Sequence, residues 1–295
     1  MLNIVSTTWP WTPSVGMTPT DVVRHLVLLH ADEVCIRTPV YYLPYNPPFH
    51  SEVVTRCLDE DIDVSLWPVV SLYNPELQAD RIAEETEKWK PKRLFLDAER
   101  HWVLDYIANL PRFLNRLASH KLPCPIGLGS YRRASMHTGM NWQVWLKHQT
   151  ETGYTIAFLA HQLYPLGWVT PAQWLDQFKR DVDSHEAEIA RAGRPGMEWL
   201  PWMPSFIGGG FEGLPEPWVP SAVSMQAAVE YLVERLGTRL LGYNWWSLDK
   251  SLVDPRLGPV YNLVRSLNVE PPPLSDSQRV DILWREAATH GWNLT

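Results

Sequence analysis

The chain has 295 residues and a formal net charge of −7, with 45% apolar and 20% charged residues. That mix fills a large core and excludes a disordered chain. The acidic balance and the lack of a basic stripe exclude a nucleic-acid-binding protein, and apolar runs such as LVLL (26–29) are too short to span a bilayer, so no membrane insertion is expected.

Taken in chain order, short β-branched or apolar runs alternate with amphipathic helical patterns. Strands are predicted at 3–9, 33–42, 63–73, 92–99, 125–131, 154–164, 199–207 and 239–249. Helices are predicted at 18–30, 49–60, 75–89, 103–119, 140–151, 171–192, 220–236 and 255–267. Thr18-Pro19, Asn74-Pro75 and Thr170-Pro171 each read as an N-cap followed by a first-turn proline. Strands alternating with helices imply a parallel sheet, and eight such units within residues 1–268 predict an α/β fold of the (β/α)₈ TIM-barrel type. The alternative, a doubly wound open sheet, would carry a glycine-rich loop after the first strand. The loop here is PWTPSVGM, with a single glycine.

After residue 268 a proline run, Pro271 to Pro273, reads as a stiff linker over 269–274. An amphipathic helix is predicted at 275–295, opened by a Ser275/Gln278 capping box and carrying Val280, Leu283, Trp284 and Ala287 on one face. Such a short helix must dock on the barrel, on a second subunit in a homo-oligomer or particle, or on another protein. The three cysteines are too widely spaced for a disulfide framework or a zinc site and read as small core hydrophobes. The N-terminus shows no secretory signal, so cytoplasmic synthesis is expected. The 16 tryptophans are expected mostly in the core, with a minority in a cleft.

In this fold the active site lies at the C-terminal ends of the strands. The fourth strand ends LFLDAERHW (94–102). Alternation puts Phe95, Asp97 and Glu99 on one face and Leu96 and Ala98 on the other, with the two acids about 6.5–7 Å apart along the strand. Two close acids repel when both are ionised, and burial raises each pKa, so one can keep its proton while the other stays charged. That division of labour suits glycoside hydrolysis. A salt bridge to Arg37 or Arg100 is the structural alternative.

LFLDAERHW resembles the D-x-E segment of family 25 glycoside hydrolases, the lysozyme-type muramidases. It also resembles the end of the D-x-x-D-x-D-x-E motif of family 18 chitinases. The resemblance implies Glu99 as general acid and Asp97 as the residue assisting the N-acetyl group or an oxazoline-like intermediate, with no metal or cofactor. The eighth strand, LGYNWWSLD, resembles the family 18 ending in which a tryptophan floors the sugar site, which implies that role for Trp246, with Asp249 beside it. The sixth, AHQLYP, resembles the strand that brings a polar residue and a tyrosine to the reacting sugar, here Gln162 and Tyr164. Where family 25 has an acid on the first strand, this chain has NIVSTTW, with Trp9 near that place.

Other predicted strand ends furnish a sugar cleft: Arg37, Tyr41 and Tyr42; Ser71, Tyr73 and Asn74; Tyr131 and Arg132; and Ser205 before a glycine-rich lid at 208–213. The expected function is a retaining hydrolase of a β-linked N-acetylhexosamine polymer, most plausibly peptidoglycan. A phage-type lysin released by lysis or carried in the particle fits the missing signal. The alternative is a catalytically inactive carbohydrate-binding or structural protein that keeps the barrel. No G-x-S-x-G, P-loop or H-E-x-x-H pattern competes.

Overall fold

The computed structural model describes residues 2–7, 18–38, 47–99, 105–151, 153–164, 170–204, 221–246 and 255–267. The predicted linker and C-terminal helix lie outside the described residues.

Among the described residues eight parallel strands form the sheet. They are β1 (Leu2–Thr7), β2 (Glu33–Thr38), β3 (Asp63–Pro68), β4 (Leu94–Asp97), β5 (Ile126–Gly129), β6 (Phe158–Leu159), β7 (Glu198–Trp199 continued by Trp202–Pro204) and β8 (Gly242–Trp246). β1 pairs with β2 on one side and with β8 on the other, in the register Leu2↔Gly242 and Ile4↔Asn244. The ring closes at β7. On one edge Leu200 N donates to Leu159 O (2.7 Å) and Trp202 N to His161 O (3.0 Å). On the other, Leu241 N donates to Trp199 O and Asn244 N to Pro201 O, both at 2.9 Å. Pro201 has no N–H to give to a ladder, which accounts for the break within β7.

The α-helices of the described residues are α1 (Pro19–Leu28), α2 (Pro47–Asp59), α3 (Pro75–Trp89), α4 (Tyr106–Ser119), α5 (Trp142–Lys147), α6 (Pro171–Arg191), α7 (Ala222–Leu236) and α8 (Gly258–Leu267). Four of them begin on proline, whose missing N–H costs nothing in the first turn. Thr18 and Thr170 close full capping boxes with Asp21 and Gln173. Asn74 does not: its side chain makes no cap bond. Gln78, one turn on, turns back instead. Its Oε1 accepts from Ser71 N and Leu72 N, and its Nε2 donates to Val69 O. One further difference lies before β6. Helix 140–151 is expected in one piece; α5 is only six residues, and the predicted sixth strand loses its start, because Gln149–Thr150 and Gly153–Tyr154 pair as an antiparallel hairpin. Gly153, at φ +130°, makes that turn.

Two apolar layers follow from strand alternation. Outward residues, among them Leu96, Leu128, Leu159 and Trp199, join the helices in the main core. Inward residues form a second cluster inside the ring: Ile4, Cys35, Trp67, Phe95, Phe158, Ala160, Tyr164, Leu200, Trp202 and Trp246. Here Phe95 meets Phe158 edge to face at 5.4 Å, and Trp67 meets Trp202 the same way at 4.3 Å. Gly127 makes room for this, since a Cβ there would fall 2.1 Å from the Phe158 ring. Below the aromatic layer, at the base of the ring, the buried Glu33 carboxylate accepts from Ser65 Oγ and from the Arg93 guanidinium.

Candidate active site

β4 ends on Asp97, and the chain stays extended through Ala98 and Glu99. Phe95 lies in the inner cluster while Leu96 and Ala98 join the outer core, so alternation places Asp97 and Glu99 inward above Phe95. Gln162 confirms their common side. Its Nε2 donates to Glu99 Oε1 at 2.5 Å and reaches Asp97 Oδ1 at 3.4 Å. A single carboxamide from above β6 therefore spans both carboxylates. Gln162 is carried there by the next layer of the same alternation, with Ala160 and Tyr164 inward and Leu163 outward.

The acid segment is fixed through its backbone as well. Val70 N donates to Asp97 O, and Ala98 N to Gly129 O, both at 2.8 Å. Ser130 Oγ donates to Ala98 O at 2.5 Å, and the Tyr131 hydroxyl donates to Glu99 O. The Tyr131 ring stacks on His137 at 3.7 Å. Burial, with the charges of Glu99 and Asp97 close by, holds the Tyr131 phenol well above its ordinary pKa, so it stays a neutral donor.

The remaining expected residues divide. Tyr164 stacks on Trp246, with ring centroids 5.2 Å apart and an angle of 25°, and both are buried. Arg37 lies over the Trp67 ring at 4.9 Å, joining the cleft wall to the aromatic floor. Tyr73 is 60% exposed at the rim. Arg132 corrects the cleft expectation. It is buried, forms an ion pair with Asp181 of α6 and donates to Gln177 Oε1 (2.7 Å) and Tyr164 O (3.2 Å). It therefore braces the β6 end instead of offering itself to a ligand. Asp181 also holds Arg133 at 2.5 Å. Trp9, Tyr41, Tyr42, Arg100, Ser205, the 208–213 loop and Asp249 lie outside the described residues.

The brace was not foreseen. Arg132 and Asp181 are far apart in sequence and sit in no motif; only the helical position of Asp181, facing inward on α6, could have hinted at it. A second unforeseen feature lies beside it. His161 and His185 stack at 3.7 Å, enclosed by Trp142 and Trp199. Burial pushes the His185 pKa down to about 3 and that of His161 well below its ordinary value, so both are neutral. Their positions under Tyr131, whose carbonyl faces His185 Nε2 (3.0 Å), and next to Gln162 support the site from behind. Among the described residues, no group of three or more His, Cys, Asp or Glu is placed to hold a metal ion, and no helix is long and apolar enough to cross a membrane.

No family model matches this chain, and no curated protein matches it in sequence. Solved structures do match its fold. The spore cortex-lytic enzyme SleL of Bacillus megaterium QM B1551 aligns at TM-score 0.52 and 13% identity, over 89% of this chain and 72% of that one. A chitinase from Bacteroides thetaiotaomicron aligns at TM-score 0.61 and 10% identity, over 94% and 99%. A plant class V chitinase mutant from Cycas revoluta, in complex with (GlcNAc)3, aligns at TM-score 0.59 and 12% identity, over 90% and 99%. These neighbours lend the family 25 resemblance and a phage origin no support. At these identities they establish the architecture: an α/β chain with the fold of glycoside hydrolase barrels.

Proposed function

We propose that the chain is a glycoside hydrolase acting on a β-linked N-acetylhexosamine polymer, namely peptidoglycan, with Glu99 as general acid/base and Asp97 assisting. The observation that carries this reading is the Gln162 carboxamide spanning Asp97 and Glu99 at the strand ends of the barrel. Two inward carboxylates at that pole are what glycosidic cleavage needs. Glu99 gives its proton to the leaving glycosidic oxygen. The substrate's own acetamido oxygen closes on the anomeric carbon, and Asp97 steadies the charge that develops on its nitrogen. Water then attacks the same carbon, Glu99 takes its proton, and the configuration is retained. The Tyr131 hydroxyl and Ser130 keep the acid-bearing backbone from moving as charge shifts. The structural neighbours, a cortex-lytic enzyme and chitinases, support the same substrate class.

The rival reading, sugar binding without turnover, is favoured by one feature. Phe95 stands two residues before Asp97, where the D-x-x-D-x-D-x-E pattern has an acid. Release of reducing ends from purified cell walls and from chitin, by wild type and by Glu99→Gln, separates the two. The hydrolase reading expects a loss of about 10²–10⁴-fold. Equal release by both proteins removes Glu99 from the chemistry, and sugar binding with no release by either establishes the rival.

A further inference from the structure

A groove of about 480 Å³ opens at the pole opposite the acid pair, where β5 and β6 begin. One wall is the end of α4, with Asn115, Ser119 and Lys121; the other is the hairpin, with Gln149, Glu151 and Tyr154. Its size falls within the range of small-molecule sites. We propose that this groove is a second carbohydrate-binding site, which holds the polymer while the acid pair works on it.

The aromatic platform is built in advance. Tyr154 is 40% exposed, and the Arg194 guanidinium lies over its ring at 3.9 Å. Arg194 is itself tied down, donating to Leu146 O at 3.1 Å. Arg194 covers one ring face, and the ring itself lines the groove. A cation on one face locks the ring, and a flat ring with one free face suits the C–H face of a sugar.

The charge balance selects the ligand. One lysine and one glutamate line the groove, so their formal charges cancel. His148 adds none: burial lowers its pKa, and both ring nitrogens are committed, to Thr155 Oγ1 (2.7 Å) and Asn115 Oδ1 (2.9 Å). The C-terminal turn of α4, whose carbonyl end is partially negative, disfavours an anion further. A neutral ligand rich in hydroxyls and amides fits hydroxyl, carboxamide and carbonyl partners on both walls. The choice of an N-acetylhexosamine chain as that ligand rests on the proposed function. A second grip on a substrate of many repeats multiplies retention without new chemistry at the first site.

The test uses the full-length protein, insoluble chitin and cell-wall sacculi as probes, and two readouts. Tyr154→Ala is expected to lower the bound fraction on the polymer at least about tenfold, while Tyr154→Phe, which keeps the ring, binds as wild type. Ser119→Arg, which fills the groove from the α4 side and leaves Tyr154 intact, is expected to weaken binding as Tyr154→Ala does. Cleavage of short soluble oligosaccharides stays unchanged in all three. Wild-type retention by both Tyr154→Ala and Ser119→Arg overturns the second site, as does an absence of polymer binding by the wild type. Loss of retention in these variants, together with a Glu99→Gln protein that releases as much product as wild type, upholds the groove and overturns the catalytic assignment alone.

Discussion

At the base of the barrel Glu33 meets a guanidinium and a hydroxyl; at the mouth one carboxamide reaches both Asp97 and Glu99. Both carboxylate groups sit inside the same ring and are separated by the same layer of Phe95, Phe158, Trp67 and Trp202. At the base the negative charge is matched by a positive one, and the side chains have nowhere to go. At the mouth two acids are set side by side, and a neutral donor, the Gln162 carboxamide, reaches both. In barrels of this kind the C-terminal ends of the strands carry the active site and the opposite end serves stability.

The sharpest way to break that contrast is to exchange the consequences of mutation. Glu99→Gln is expected to remove turnover by about 10²–10⁴-fold, with a melting temperature close to wild type, read by calorimetry. Arg93→Met should do the reverse. It strands the Glu33 carboxylate in the interior and costs about 3–5 kcal/mol by urea unfolding, while the specific activity of the folded fraction is preserved. Glu33→Met with Arg93→Met should recover most of that loss. A double variant no more stable than the single would show that the pair does not act as a unit.

Next in size is the layer between the two ends. Gly127→Ala forces the Phe158 ring aside and should cost about 1–3 kcal/mol; adding Phe158→Leu should return part of it. If Gly127→Ala unfolds at the wild-type urea midpoint, the inner packing is looser than the 5.4 Å Phe95–Phe158 contact implies.

The most gradual effects come from protons. His161 and His185 have folded pKa values below the unfolded 6.5, so the unfolded chain takes up protons first. Stability falls as pH drops below about 6.5, by about 1.4 kcal/mol per pH unit for each histidine, until His185 itself titrates near 3. Glu33 opposes this. Burial holds its pKa up at about 6 although Arg93 pulls it down, so protonating it stabilises the fold as pH falls from 6 toward 4.5. Neither nitrogen of His161 has a hydrogen-bond partner, so His161→Phe should unfold later than wild type at pH 5 and remove about half of the histidine contribution to the acid slope. An unchanged slope in pH-dependent urea titrations would show that His161 is not the group being charged.

How much of this was legible in the sequence depends on the range of the contact. Period-two alternation over 94–99 settles which way Asp97 and Glu99 face, because each residue's side follows from its neighbour's. Thr18 and Thr170 are read as caps from three residues of sequence. The hairpin at 149–154 escapes the same reading, since His148, Gln149 and Thr150 continue a helical pattern and only Gly153 interrupts it. The Arg132–Asp181 brace and the His161–His185 stack escape entirely. Each joins a strand end to α6 across the ring's surface, and no local pattern fixes which turn of a helix such as α6 will face a given loop. Gln162 is intermediate: its inward direction follows from β6, whereas its reach to both acids depends on the stagger between β4 and β6.

The pairing of β1 with β8 has a consequence for how the chain is made. Leu2 to Ser6 hydrogen-bond along Gly242 to Trp246, so the first of these eight strands to be synthesised is partnered by the last of them. At about 5–20 residues per second, β1 waits on the order of ten to fifty seconds beside β2 alone, its other edge open. During that interval Ile4 is exposed on one side to any unpaired strand nearby. A nascent chain halted before Gly242 would leave this edge free on the ribosome, and that is the stage at which a chaperone has the most to protect.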